Sequence, residues 1–370
     1  MKKILFFIHD LGPGGAEKVL VNLVNNMDQT KFDITVMTLF DVGVNKKFLK
    51  KNIRYLSCFK KVIRGNSHLM KLFSPEYLHR KFIKERYDIE VAYLEGPCAR
   101  IISGCPYKDT KLAAWIHTEY HNRNRLAESF RSFREAEECY NCFHKIVCVS
   151  QTVQKSFSSL LNLNVPGCVL YNVNDYPGII QASKEKIEDN LFSDKTFNMI
   201  AVGKIQPSKG FERLLKIALQ LKKEGYTFCF YILGTGAQEG KLKRYVIKHG
   251  LSEYVHFLEY QENPYKYIAK CDLFVCSSYR EGFSTAATEA LIVGTAVCTV
   301  EVSGMTELLG ENNEYGVIVE NDDSSLLKAI KRFMDSEELV REYTKRAFER
   351  GKIFRTDKTS GAVEKMLLDL

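Results

Sequence analysis

The chain has 370 residues, 45% of them hydrophobic and 26% charged, which at roughly 100 to 200 residues per domain is enough for about two domains with real cores. That composition excludes a disulfide-stapled miniature scaffold, a disordered chain and a collagen-like repeat. Lys plus Arg number 53 against 45 Asp plus Glu, a net +8, well short of a dedicated nucleic-acid coat.

The positive surplus is uneven. Residues 1–170 hold 26 basic and 16 acidic side chains, whereas 171–370 hold 27 and 29. The first half is therefore the one to ask about anionic surfaces. Eleven cysteines would make a disulfide framework only in a secreted chain, but the apolar run Ile4 to Ile8 is too short for a signal-peptide core. Cys148, Cys229, Cys276 and Cys298 sit inside apolar runs, as buried thiols do in a reducing cytoplasm. Cys139 and Cys142 form a C-x-x-C near His144, without a second pair at zinc spacing, and are read as packing. No window approaches a membrane span.

Short apolar runs alternate with amphipathic stretches, the pattern of parallel sheets covered by helices. The first series of expected strands is Lys3 to Ile8, Asp33 to Leu39, Ile89 to Leu94, Lys111 to Ile116 and Lys145 to Val149. The second is Asn198 to Val202, Phe228 to Leu233, Val255 to Leu258, Asp272 to Cys276 and Ala296 to Val300. The fold class is α/β, with two Rossmann-like, doubly wound domains facing a cleft. Residues 1–174 form the N-terminal domain, 175–196 the linker and 197–352 the C-terminal domain, with a helix at about 353–370 expected to pack back on the first.

In such sheets ligands bind at the carboxyl ends of the strands. Glycine-rich or polar segments follow five expected strands: Gly12 to Gly15, His117, Gly203-Lys204, Gly234 to Gly236 and Ser277 to Gly282. Gly14 and Gly15 open a helix where exposed amides can approach an anion, although Glu17 stands where a dinucleotide fingerprint needs its third glycine. Residues Gly234 to Lys241 fail as a phosphate loop because Thr235 and Leu242 occupy the defining positions. No D-x-D occurs, so diphosphate charge has to be met by protein cations and no metal is expected. Lys204 and Lys209 bracket a helix N-terminus near Phe211, where ammonium charge, amide donors and helix dipole can converge on one anion.

The densest stretch runs from Ser278 to Ala290. Glu281 is expected on a loop and Glu289 about two turns down the following helix, so that the carboxylates lie at different depths. A carboxylate beside a helix N-terminus can accept sugar hydroxyls, and a deeper one can take both ribose hydroxyls. An ordinary capped helix with two solvated glutamates is the plain alternative.

Glu281 and Glu289 form an E-x7-E. With Gly203-Lys204, Lys209-Gly210 and Val302 to Glu307 this resembles glycosyltransferase family 4, retaining enzymes of the GT-B fold, here of the bacterial surface-polysaccharide type. The likeness extends to Gly14 to Glu17, His117, Leu170 to Val173 and Tyr315 to Val319, with Ser303 where the family usually has glycine. It implies a nucleoside-diphosphate sugar in the C-terminal domain, with UDP the expected nucleotide. Lys204 and Lys209 would meet the diphosphate, joined by Gly234, Gly282 and the amides of Phe283, Ser284 and Thr285. Glu281 would hold the donor sugar, Glu289 the ribose. Gly14 and Gly15 would approach the diphosphate from the other domain, and His117 would line the face where the glycosidic bond forms. The catalytic group is thus His117, Glu281 and Lys209, with no cofactor. Glu119, His121 and Arg123 stand near His117 as candidates for acceptor or solvent contact.

Residues 46–86 carry 13 Lys or Arg and only Glu76 and Glu85 as acids, interleaved with Phe48, Tyr55, Phe59, Leu69, Leu72, Phe73, Tyr77 and Phe82. That pattern reads as attachment to an anionic membrane or a landing site for a lipid-diphosphate-linked glycan acceptor. The expectation is a cytoplasmic protein, peripheral on the inner face of the plasma membrane, with no nucleic-acid partner. A UDP-sugar epimerase of the same fold and a non-catalytic sugar-nucleotide-binding protein are the alternatives.

Overall fold

The computed structural model describes residues 1–62, 65–187, 192–193 and 195–370. They form two units: Met1–Asn174 with Thr356–Leu370, and Asp175–Arg355.

The first unit is built on seven strands: β1 (Lys2–Ile8), β2 (Phe32–Phe40), β3 (Arg54–Phe59), β4 (Ile89–Ala92), β5 (Lys111–Ile116), β6 (Lys145–Cys148) and β7 (Gly167–Val169). They pair in the order β3-β2-β1-β4-β5-β6-β7, all parallel. Ile4 to Ile8 are wholly buried, because a parallel sheet covered on both faces has no solvent side and its strands read as unbroken apolar runs. The helix Gly15–Asn26 turns Val19, Leu20, Val21, Leu23 and Val24 inward. The C-terminal helix Thr356–Leu368 belongs to this unit, where Glu364 accepts the Asp28 amide at 2.9 Å and Thr356 Oγ1 donates to the Asn174 carbonyl at 2.8 Å.

The second unit has β8 (Phe197–Val202), β9 (Phe228–Leu233), β10 (Val255–Phe257), β11 (Leu273–Cys276), β12 (Ala296–Val300) and β13 (Val317–Val319), in the parallel order β10-β9-β8-β11-β12-β13. The helix Phe211–Lys223 buries Phe211, Leu214, Leu215, Ile217, Ala218 and Leu221 against it.

All ten expected strands form. The three that the sequence reading missed, β3, β7 and β13, each close one edge of a sheet. Edge strands pack on fewer neighbours: no residue of β3 is fully buried, and β7 and β13 are three residues each, too short to stand out as apolar runs. The stretch expected as a linker carries structure of its own. Within the expected linker 175–196, Tyr176–Ser183 is a helix of the second unit, capped by Asp175 and tied down by Asn263 Nδ2 donating to the Ala182 carbonyl at 2.9 Å; residues 188–191 and 194 lie outside the described residues. An Asp-Tyr-Pro-Gly opening looks like a turn, yet Asp as cap and Pro in the first turn are also how a helix begins. The first unit resumes at Thr356, and Phe354, still in the second, is fully buried with its ring 6.0 Å from that of Phe283.

Candidate functional site

In each sheet the strand order reverses direction at one point, between β1 and β4 in the first and between β8 and β11 in the second. Loops leaving the carboxyl ends of such neighbouring strands diverge and leave a crevice. Gly14 and Gly15 follow β1, and Lys204, Lys209 and Glu281 follow β8 and β11, at these two points, whereas His117 follows β5 and Gly234 follows β9.

In the second unit, the loop after β8 and the loop after β11 are sewn together. Tyr279 donates its amide to the Ser208 carbonyl at 2.8 Å, and Ser277 Oγ donates to the Lys209 carbonyl at 3.0 Å. Gly210 adopts φ 65°, and a Cβ there would stand 2.1 Å from the Ser277 carbonyl oxygen, so only glycine allows this approach. The sewing brings Lys209 Nζ to 2.5 Å from Glu281 Oε1, and Ser278 Oγ donates to the same oxygen at 2.6 Å. Glu281 is 9% exposed and Lys209 28%. Burial pulls the Lys209 ammonium down, but the adjacent Glu281 carboxylate outweighs it, and the pKa ends above its ordinary value. Lys204 stands exposed. The Gly234 amide donates to the Glu259 carbonyl at 2.6 Å, which joins the ends of β9 and β10.

The helix Thr285–Val293 follows directly. Its cap is Ser284, whose hydroxyl accepts the Ala287 amide at 3.3 Å, so Ser284 offers a ligand main chain rather than a free hydroxyl. Phe283 is buried. Glu289 is the fifth helical residue, just over one turn down rather than two, because the turn from Gly282 to Ser284 is not helical. It is 4% exposed, and Tyr265 donates its hydroxyl to Glu289 Oε1 at 3.5 Å. Gly304 takes φ 78° against the Gly282 carbonyl. The left-handed residue of that turn is thus Gly304, and Ser303 is not among the residues with positive φ, so serine there costs no backbone strain. The sequence reading missed two supports: Ser278, and Arg213, which is buried, stacks 4.1 Å over the Tyr279 ring and pairs with Asp323 at 3.2 Å.

In the first unit, the start of the helix Gly15–Asn26 carries its own anion, since the Glu17 carboxylate folds back over Gly14 so closely that a Cβ there would lie 2.0 Å from it. His117 follows β5. The Tyr93 carbonyl accepts a hydrogen bond from its ring, while Nε2 is buried with no partner among the described residues; Nδ1 is thereby the donor and Nε2 a bare acceptor. Burial lowers the His117 pKa to about 4, so the ring is neutral at physiological pH. Glu95, which the sequence reading did not single out, accepts the amides of His117 and Thr118. Of the neighbours, Glu119 and His121 approach to 3.7 Å, and the Arg123 guanidinium lies 4.8 Å over the Phe133 ring.

Among the described residues one group has metal-ligand composition: His79, Glu90 and Cys105. His79 Nε2 lies 2.7 Å from Glu90 Oε2, near the start of β4 rather than at its carboxyl end. His144 accepts the Leu112 amide at 3.0 Å and all eleven cysteines are free.

Segment 46–86, of which 63 and 64 lie outside the described residues, divides in two. In its first part Lys46 pairs with Asp41 at 2.5 Å and Arg54 with Glu85, while Phe59 packs on Phe40 and Phe82. Further on, Leu69, Leu72, Phe73 and Tyr77 are exposed, Leu72 by 72%, and Lys81 lies 5.7 Å over the Phe73 ring. Their backbone is nonetheless pinned. Buried Arg100 donates to the Met70 carbonyl at 2.9 Å and the Phe73 carbonyl at 2.7 Å, and Arg131 to the Lys71 carbonyl at 2.6 Å. No helix among the described residues is long and apolar enough to cross a membrane.

Comparison with known proteins agrees with this geometry. Residues 13–175 match the family described as Glycosyltransferase Family 4, and residues 182–350 match Glycosyl transferases group 1. The chain is 27% identical over 391 residues, covering all of both chains, to the N-acetylgalactosamine-N,N'-diacetylbacillosaminyl-diphospho-undecaprenol 4-alpha-N-acetylgalactosaminyltransferase of Campylobacter jejuni. Among solved structures, HepE of Anabaena in complex with UDP and glucose superposes with a TM-score of 0.78 at 18% identity over all of both chains. TarM of S. aureus, crystallised with fondaparinux, alpha-GlcNAc-glycerol and UDP, gives 0.77 at 14% identity over 100% of this chain and 99% of that one. With two Rossmann-like units and both halves matched in order, the chain is a glycosyltransferase of the GT-B fold and belongs to glycosyltransferase family 4.

Proposed function

We propose that this glycosyltransferase moves a hexose or N-acetylhexosamine, with retention of anomeric configuration and without a metal ion, from a UDP-sugar to a lipid-diphosphate-linked glycan in cell-surface polysaccharide or glycolipid synthesis. The observation that carries the donor assignment is the Lys209–Glu281 pair at the β8/β11 switch point, beside the start of the helix Thr285–Val293. The C. jejuni relative, whose name specifies an undecaprenol-diphosphate acceptor, supports the acceptor class. HepE binds UDP and glucose, which supports the nucleotide.

In this reading the donor diphosphate takes the place beside Lys209 and Lys204, with main-chain amides from Gly282 to Thr285 completing its neutralisation. Glu281, released from part of its pairing, accepts hydroxyls of the donor sugar, and Glu289 accepts those of the ribose. The bond from the anomeric carbon to the diphosphate breaks as the acceptor oxygen bonds to that carbon from the same face, and the acceptor proton passes to the leaving diphosphate. Neutral His117 accepts a sugar hydroxyl through Nε2. The acceptor's lipid is met on an anionic inner leaflet by the segment 46–86, chiefly through Leu69, Leu72, Phe73 and Tyr77 with Lys71, Arg80 and Lys81 around them, making this a peripheral membrane protein. The mixture of exposed apolar side chains with a pinned backbone supports that surface.

The test is a donor screen for nucleotide release in excess chelator, with lipid-linked acceptor and with donor alone, and with the anomeric configuration of the product read by NMR. Release that needs acceptor, survives chelation and yields the retained anomer is expected. Inversion, or turnover abolished by chelation, would overturn the corresponding part, and conversion of donor alone would point to an epimerase.

A further inference from the structure

The end of strand β4 grips His117 at two places. The first is the ring, through the Tyr93 carbonyl. The second is the main chain two residues further along, where Glu95 Oε1 accepts the His117 amide at 2.5 Å and the Thr118 amide at 2.6 Å. Two successive amides aimed at one oxygen define the direction in which the chain leaves β5, and hence where the ring begins. The Thr118 hydroxyl bonds the same carboxylate, so the turn has little freedom to rotate. Pro97, opening the helix Pro97–Ile102, stiffens the segment that carries Glu95. What these contacts leave over is a single unanswered group, the buried Nε2 of His117.

We propose that Glu95 is a positioning residue for the transfer reaction: it touches neither substrate and acts by holding His117 so that Nε2 meets a sugar hydroxyl. This rests on the reading that His117 contacts sugar. A carboxylate is suited to the task because charge-assisted hydrogen bonds to amides are short and strong. Burial lifts the Glu95 pKa while its amide partners oppose the rise, the mark of a carboxyl kept in place by the donors it serves. A merely structural Glu95 would close two unpaired amides at the end of β5 and lower stability when removed, with no dependence of turnover on His117.

The experiment is a double-mutant cycle on the full chain, with kcat and donor KM for the wild type, Glu95→Ala, Glu95→Gln, His117→Ala and Glu95→Ala with His117→Ala, each checked by thermal melting. Displacing a group by about an ångström costs about 100-fold, and a loss of that order in kcat is expected for Glu95→Ala, with donor KM nearly unchanged. Glu95→Gln retains an Oε1 that can accept both amides and should recover most of the rate. In the His117→Ala background, Glu95→Ala should cost nothing further. Additive losses, or a Glu95→Ala effect confined to KM or to melting temperature, would overturn the positioning role while leaving His117 as a sugar ligand. If His117→Ala alone were fully active, the reading of His117 would fall first, and any loss in Glu95→Ala would then have to arise elsewhere.

Discussion

The loops after β8 and β11 in the second unit and the loop after β5 in the first hold their ionisable groups in opposite ways. In the second unit, Glu281 beside Lys209 holds the ammonium pKa above its ordinary value despite burial, and Ser278 donates to the same carboxylate. In the first unit, His117 at the end of β5 is stripped of charge by burial, and its donor nitrogen is committed to the Tyr93 carbonyl. Under the proposed function the Lys209 site would receive a dianionic leaving group and needs a cation that stays a cation. The His117 site would meet neutral hydroxyls and needs an acceptor that stays unprotonated. The same β-loop-α architecture serves both, because what changes is only which groups the loop brings within reach.

The comparison breaks most easily at Lys209. Removing one preorganised donor to a developing anion costs about 100- to 1,000-fold in kcat, and Lys209→Ala should fall in that range in nucleotide-release assays. Unchanged turnover at both saturating and subsaturating donor would show that the second unit's charge pair is not a diphosphate site. Next comes the apolar surface, where Leu72→Glu with Tyr77→Glu should weaken flotation with anionic vesicles by about tenfold or more, since each buried apolar side chain contributes about 1.5 to 3 kcal/mol. Absent or salt-insensitive binding by the wild type would remove the membrane from the account. A smaller effect is expected for Ser278→Ala, about a few-fold on kcat/KM, in keeping with about 1 kcal/mol for one hydrogen bond; rescue by Ser278→Thr would separate the hydroxyl from the space it fills.

The smallest effect concerns pH. His117 has a folded pKa of about 4 against an ordinary 6.5, so the unfolded chain binds the extra proton first. Its contribution to stability is complete above 6.5 and declines as pH falls toward 4. Glu95, raised by burial, acts in the opposite sense. Melting temperatures of His117→Asn and wild type, compared across that window, should therefore converge as pH falls, and a constant gap would mean that folding leaves the His117 pKa at its ordinary value.

Much of this was legible in the chain. The central strands were, because burial on both faces demands unbroken apolar runs such as Ile4 to Ile8 and Phe228 to Leu233. The donor-side candidates were too, since glycines, lysines and glutamates stand at fixed distances after those runs. Glu95 was not, because nothing local in Leu94-Glu95-Gly96 reveals that its partners are amides 22 and 23 residues away. Nor was the depth of Glu289, which depends on where the helix starts, at Thr285, after a cap that spends three residues outside it.

What the sequence by itself determined is therefore periodic and local: two parallel-sheet units, the order of their strands' loops, and which chemistry each loop carries. Only the tertiary structure decided which loops touch. β8 and β11 are adjacent in space but separated in sequence by β9 and β10, and the end of β4 meets His117 only because β5 lies beside β4, so the pairing of Lys209 with Glu281 and the grip of β4 on His117 exist only once the sheets are assembled. The physical reason is that hydrogen bonds and ion pairs act over a few ångströms of space, and spacing along the chain does not record that distance.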